Sequence, residues 1–342
     1  MAVTGSRRFG RPRRRTARVR GAAAGTAKSH LDLENLLVAL LAERGDAWPN
    51  ALYRLGYRLH CFDTTIELLE PQDGDRWASR RLAPDAIAIE QRNNRALVLE
   101  AKTGTEVGFK QVPEGLAAPI EAWARAIAMP TQSLLPPRIQ GVIVTADTTL
   151  EAKVDAMAEK KVTWFRAVTP FAVDPCFLVD ERVKPALEGL PDDDWPRSYV
   201  PFSRDRAQNG TKRVIAALAP HIIRAAGNGQ DRILASELVS VTHQAVWTLA
   251  DPNTTQAWET IAAEALKDAA FGALKNLASY VPSPPGIRLH DVIPGHPADE
   301  RTLLALRTAL EREQRRTPRR AGRVPIRRAK SVDQIGLWPE SD

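Results

Sequence analysis

Two apolar runs, Pro84-Asp85-Ala86-Ile87-Ala88-Ile89 and Ala96-Leu97-Val98-Leu99-Glu100-Ala101-Lys102, flank a polar centre, Gln91-Arg92-Asn93-Asn94-Arg95. Short runs rich in Ile, Val and Leu, bounded by turn residues, read as buried strands. Asn tolerates left-handed backbone angles, so the centre predicts a tight hairpin. A turn centred on Asn93-Asn94 sets Ala88 against Leu99, Ile87 against Glu100 and Asp85 against Lys102. Side chains alternate along a strand, so Asp85, Ile87, Glu100 and Lys102 share one face. Directly opposed residues lie about 5 Å apart and diagonal ones about 7–8 Å. Two carboxylates and an ammonium are therefore expected to converge at the end of an apolar hairpin.

Paired carboxylates form a hard oxygen site that suits Mg²⁺, an ion that completes its octahedron with water and substrate phosphate. Such an ion activates water and stabilises charge on a phosphodiester. A neighbouring lysine orients the water or holds the phosphate. The bland alternative is an ordinary strand end in which Asp85 and Lys102 form a cross-strand ion pair.

Pro-Asp, a gap, then Glu-x-Lys on the next strand resembles the PD-(D/E)XK nuclease superfamily, the restriction-endonuclease-like fold. The resemblance spans roughly residues 29–168. It implies Asp85, Glu100 and Lys102 as catalytic residues, with Asp85 and Glu100 holding metal and the Ala101 carbonyl as an extra ligand. An acidic residue of the first helix often joins such a site, which makes Glu34 a candidate. Some members carry Gln-x-x-x-Tyr on the helix after the Glu-x-Lys strand. Here Gln111 is followed at that spacing by Gly115, so the pattern is broken and Gln111 stands alone as a catalytic candidate. The implied activity is a Mg²⁺-dependent endodeoxyribonuclease, with Mn²⁺ substituting, in restriction, phage defence or repair. The alternative is a catalytically silent nuclease fold that binds nucleic acid or protein within a larger assembly.

The 342 residues carry a net charge of +7, unevenly placed. Residues 1–28 contribute +9, and residues 312–330, with nine Lys/Arg and Glu313, contribute +8, which leaves −10 for the rest. Basic ends of this kind attract phosphates without sequence preference. Arg13, Arg14, Arg15, Arg319 and Arg320 are therefore candidate DNA contacts, joined by Arg80 and Arg81 just before Asp85. Cys61 and Cys176 lack metal-like spacing, and the six histidines form no i, i+4 pair, which argues against a zinc site. No apolar run approaches the ~20 residues that span a bilayer, and no signal-type apolar region follows the basic start, so a cytoplasmic protein is expected, with no membrane partner.

In chain order, residues 1–28 read as a disordered basic arm. Ser29 predicts an N-cap, with Asp32 three residues on, for a helix over 30–44 whose buried stripe is Leu33, Leu36, Leu37, Leu40 and Leu41. Residues 57–69 read as strand, 106–128 as mainly helix, 139–145 as strand, 148–160 as helix and 162–168 as strand. This order predicts an α/β fold, a mixed central β-sheet flanked by helices, over 29–185. A linker is expected over 186–203. An α-helical half follows over 204–311, with helices near 206–226, 231–250 and 254–280 and irregular chain over 282–300. A basic tail closes the chain over 312–342. The helical half is the expected surface for a protein partner, and a homodimer would suit double-strand cutting.

Overall fold

The computed structural model describes residues 29–43, 50–71, 77–103, 118–129, 135–146, 162–167, 171–173, 180–190, 199–205 and 209–315. Gln111, Arg13, Arg14, Arg15, Arg319 and Arg320, and the helix expected over 148–160 lie outside these residues, while α-helix continues through Arg315 into the stretch expected as tail.

A six-stranded mixed sheet forms the centre, with spatial order β1 (Arg58–Phe62), β4 (Ala86–Glu90), β5 (Arg95–Lys102), β6 (Arg138–Thr145), β7 (Thr163–Arg166) and β8 (Ala172–Val173). The β1–β4, β4–β5 and β7–β8 pairs are antiparallel, and β5–β6 and β6–β7 are parallel. β2 (Ile66–Pro71) and β3 (Trp77–Leu82) form a separate hairpin between β1 and β4. Every residue of β4 is buried, as expected for a strand covered on both faces.

The two faces bury different sets. Ala86, Ala88, Leu97, Leu99, Val142 and Val144 pack under α1 (His30–Leu41). Ile87, Ile89, Val98 and Ile143 pack with Trp123 and Ile127 at α3 (Ile120–Ala126), which follows the short α2 (Ala51–Arg54). Ser29 caps α1 in a full capping box with Asp32. Far more of this helix is buried than one stripe, and chain at Val200 packs against its outer side. Asn35 there donates to Val200 O and accepts from Val200 N–H, both at 2.8 Å. Val200 and Phe202, both within the stretch expected as linker, are buried, and α4 (Val183–Glu188) runs into its start.

The hairpin register differs from the expected one by two residues. Ala86 pairs with Leu99, Ile87 with Val98 and Glu90 with Arg95. A four-residue turn, 91–94, replaces the two-residue turn. Glu90 Oε2 accepts from Asn93 N–H at 3.1 Å and from its Nδ2 at 2.8 Å, and Asn94 alone takes the left-handed angle, φ 52°. A slip of two keeps every side chain on its face. Continuing the ladder, Asp85 stands across from Glu100 rather than Lys102.

The C-terminal half departs further from expectation. It holds α5 (Thr211–Gly227), β9 (Arg232–Leu234), α6 (Ala235–Thr242), α7 (Pro252–Phe271), β10 (Ala278–Pro282), β11 (Pro285–Leu289) and α8 (Glu300–Arg315). It is therefore not purely helical. The strands form an antiparallel sheet in the order β10-β11-β9, and β11 occupies chain expected to be irregular. Gly286 lets β11 approach β9, since a Cβ there would stand 2.3 Å from Ile233 O. Asp251 caps α7, accepting from Thr254 N–H at 2.7 Å with Pro252 at the first helical position.

Candidate metal centre at the end of the sheet

The site forms where the end of β1 and the start of β4 meet α1. Phe62 closes β1 opposite Ala86, and the chain turns at Asp63, φ 48°, which breaks the long strand expected over 57–69. Asp63 N–H donates to Asp85 O at 2.8 Å. Asp85 precedes the β4 ladder, and its carboxylate is fixed from two sides. Oδ2 accepts from Ala101 N–H at 2.5 Å, and Oδ1 lies 3.2 Å from His30 Nε2. His30 Nε2 is also 3.3 Å from Glu34 Oε1, one helical turn along α1. On β5, Lys102 Nζ is hydrogen bonded to Glu100 Oε1.

Of the expected site residues, the structure thus gathers Glu34, Asp85, Ala101, Glu100 and Lys102. Ala101 enters through its N–H. Arg80 is exposed on β3 and pairs with Glu70 at 3.6 Å, and Arg81 is also exposed on that strand.

His30, Glu34 and Asp85 each place a ligand atom within 4.8 Å of the others, so the group could hold a metal ion. Its donors are one imidazole nitrogen and carboxylate oxygens, a set suited to a hard or borderline divalent cation. Glu34 Oε2 is buried with no hydrogen-bond partner, as an atom awaiting a ligand would be. Two members of this surrounding set were missed from sequence. His30 is i, i+4 from Glu34, a spacing that places both on one face of a helix. Asp63 closes the strand whose end pairs with the start of β4, a signal present in Phe62-Asp63-Thr64.

The electrostatics follow from crowding with little water. Burial works against charge on His30, but its hydrogen bonds and charge contacts with Asp85 and Glu34 prevail and raise its pKa to about 10. Burial raises the Glu34 pKa. Burial, with Asp85 beside it, raises Glu100 to about 7 against the pull of Lys102. Burial also raises Asp63 to about 7, opposed by the Arg204 guanidinium. His30, Lys102 and Arg204 supply cations to the four acids Glu34, Asp63, Asp85 and Glu100.

No protein-family model, curated protein or solved structure matches the chain. Among the described residues, no helix is long and apolar enough to cross a membrane.

Proposed function

We propose that this protein is a metal-dependent nuclease of the PD-(D/E)XK kind that hydrolyses phosphodiester bonds in DNA. The observation that carries the reading is the convergence of Glu34, Asp85, Glu100 and Lys102, from α1, the start of β4 and the end of β5, at one end of the sheet. Two further features support it. The succession α1, β1, β4, β5, α3, β6, antiparallel through β5 and then parallel, is a mixed sheet of the expected kind. The overall charge pattern, an acidic body with basic ends, suits a polyanionic substrate.

Asp85, Glu34 and His30 would hold the metal, and Glu100 lies beside Asp85. Mg²⁺ bound there would lower the pKa of a water and offset charge on the phosphate. Lys102 uses one of its three donors on Glu100, leaving two to orient the attacking water or to bind a non-bridging oxygen. The Ala101 N–H fixes Asp85 so that one oxygen stays turned toward His30 and the ligand position. One water adds at phosphorus, one P–O bond breaks, and the departing oxygen takes a proton, which gives one phosphate end and one hydroxyl end.

A second reading rests on His30. Its imidazole already bridges Glu34 and Asp85, as a permanent internal cation would in a silent fold. The two separate in a cleavage assay on supercoiled plasmid with Mg²⁺, Mn²⁺ or EDTA, beside Lys102→Ala. The nuclease reading expects metal-dependent nicking or linearisation that Lys102→Ala abolishes. Absence of cutting, together with an unchanged melting temperature on adding Mn²⁺, favours the silent fold.

A further inference from the structure

The acidic cluster receives one cation from outside the sheet and α1. Arg204, in the segment that leads into α5, reaches across to Asp63, with Nη2 2.8 Å from Oδ1. Its Nη1 donates to Thr254 Oγ1 at 3.2 Å, and Thr254 Oγ1 in turn donates to Asp63 O at 2.9 Å. The guanidinium is thus clamped between α7 and the turn that holds Asp85, and its charge also acts on Glu34. Two of its five N–H donors are engaged by these partners, which leaves three.

Position distinguishes Arg204 from the other two cations. His30 lies between two carboxylates, and Lys102 is bound to Glu100. The Arg204 side chain is 39 % exposed, against 23 % for His30 and 27 % for Lys102. A phosphodiester approaching Glu34, Asp63, Asp85 and Glu100 meets like charge, and needs a cation at the mouth that stays charged at every working pH. An orientated guanidinium fork with unused donors matches two phosphate oxygens.

Building on the nuclease reading, we infer that Arg204 contacts the phosphodiester of the DNA substrate, so that the C-terminal half supplies a substrate-binding residue to the site. Thr254 and Asp63 are its positioning residues.

The test is steady-state cleavage of a short DNA duplex in Mg²⁺ by the full chain, comparing wild type with Arg204→Gln, Arg204→Lys and the double variant Asp63→Asn/Arg204→Gln. Loss of a charge-assisted hydrogen bond to phosphate should raise KM roughly 10- to 100-fold in Arg204→Gln. Arg204→Lys keeps the charge but loses the fork, and should fall between. The melting-temperature increase on adding Mn²⁺ should persist in Arg204→Gln, because Arg204 is not a metal ligand. The double variant removes the unpaired carboxylate that could unfold the single one, and should retain the raised KM. A wild-type KM in Arg204→Gln, or its recovery in the double variant, overturns the inference, since Arg204 would then only neutralise Asp63. Absence of metal-dependent cutting by the wild type overturns the nuclease reading and this inference together.

Discussion

His30 and Glu34 are one helical turn apart on α1, and each is perturbed by the other and by Asp85. A metal entering this group must displace the His30 proton and meet ionised carboxylates, so protons and metal compete for the same atoms. Glu100, with a pKa raised to about 7 by burial and by Asp85, ionises only as the pH passes neutrality. Cleavage at low Mg²⁺ should therefore rise with pH from about 7, where Glu100 ionises, towards about 10, where His30 gives up its proton. Saturating Mg²⁺ should move that rise to lower pH, because the metal favours the deprotonated ligands. Rate–pH profiles at two metal concentrations check this, and profiles that coincide would remove Glu100 and its neighbours from the metal's surroundings. At this scale the sequence was legible where residues are bound by pleat and spacing. Asp85, Glu100 and Lys102 share an end of the hairpin whatever its exact register. His30 and Asp63 carry only local signals, the i, i+4 spacing to Glu34 and the Phe62-Asp63-Thr64 stretch, whereas what brings them into the site is the packing of α1 and of the end of β1 against the Asp85 turn, contacts between residues distant along the chain.

At the level of elements, an aromatic stack joins the two halves. Phe62 at the end of β1 stacks on Trp258 of α7 with centroids 6.4 Å apart. Trp258 in turn lies 4.2 Å from the His243 ring, and Phe202 meets His243 edge-on at 4.4 Å. His243 is fully buried, with Nε2 hydrogen bonded to Phe202 O at 3.1 Å. Burial lowers its pKa to about 4, from 6.5. The sign follows. Below pH 6.5 the unfolded chain gains a proton that the folded chain refuses until about pH 4, so stability falls on acidification across that window. The whole difference is worth roughly 3 kcal/mol at about 1.4 kcal/mol per pKa unit. Replacing His243 with Phe, which keeps the ring packing, should flatten the dependence of melting temperature on pH between 6.5 and 4. An equally steep dependence in the variant would place the titration elsewhere. Elements with local signals were readable, as the capping box at Ser29 and the apolar runs of β4, β5 and β6 show. The strands of the C-terminal sheet were not. β9 has three residues and β10 and β11 five each, too short for periodicity to outweigh Pro282, Pro284 and Pro285 around the turn. The hairpin register was missed because the side chain of Glu90 closes a longer turn than two asparagines suggest.

Across the whole molecule, one apolar cluster runs from α1 and the sheet through Val200 and Phe202 into α5, α6, α7 and α8. The C-terminal half is consequently packed against the site rather than tethered to it. Phe62 N–H donates to Leu249 O at 2.9 Å, and Thr65 N–H donates to Asp251 Oδ2 at 3.1 Å, next to the Asp63 turn. The body carries net negative charge, −7 over residues 29–311, and would repel a nucleic acid at long range. Attraction must then come from the ends. If residues 1–28 bind phosphates, each neutralised phosphate releases counterions, and the slope of log affinity against log salt reports how many are engaged. Deleting residues 1–28 removes nine positive charges, so the slope should become shallower by several units, with an upper bound of about 8 if all nine engage. Affinity at low salt should drop in step. The kcat for a short duplex should stay near the wild-type value, since Asp85, Glu100 and Lys102 are untouched. Fluorescence anisotropy over a salt series, paired with cleavage of the same duplex, measures both. An unchanged salt slope would assign the polyanion contacts to the remaining chain, and a lost kcat with an unchanged slope would give the arm a part in the chemistry instead.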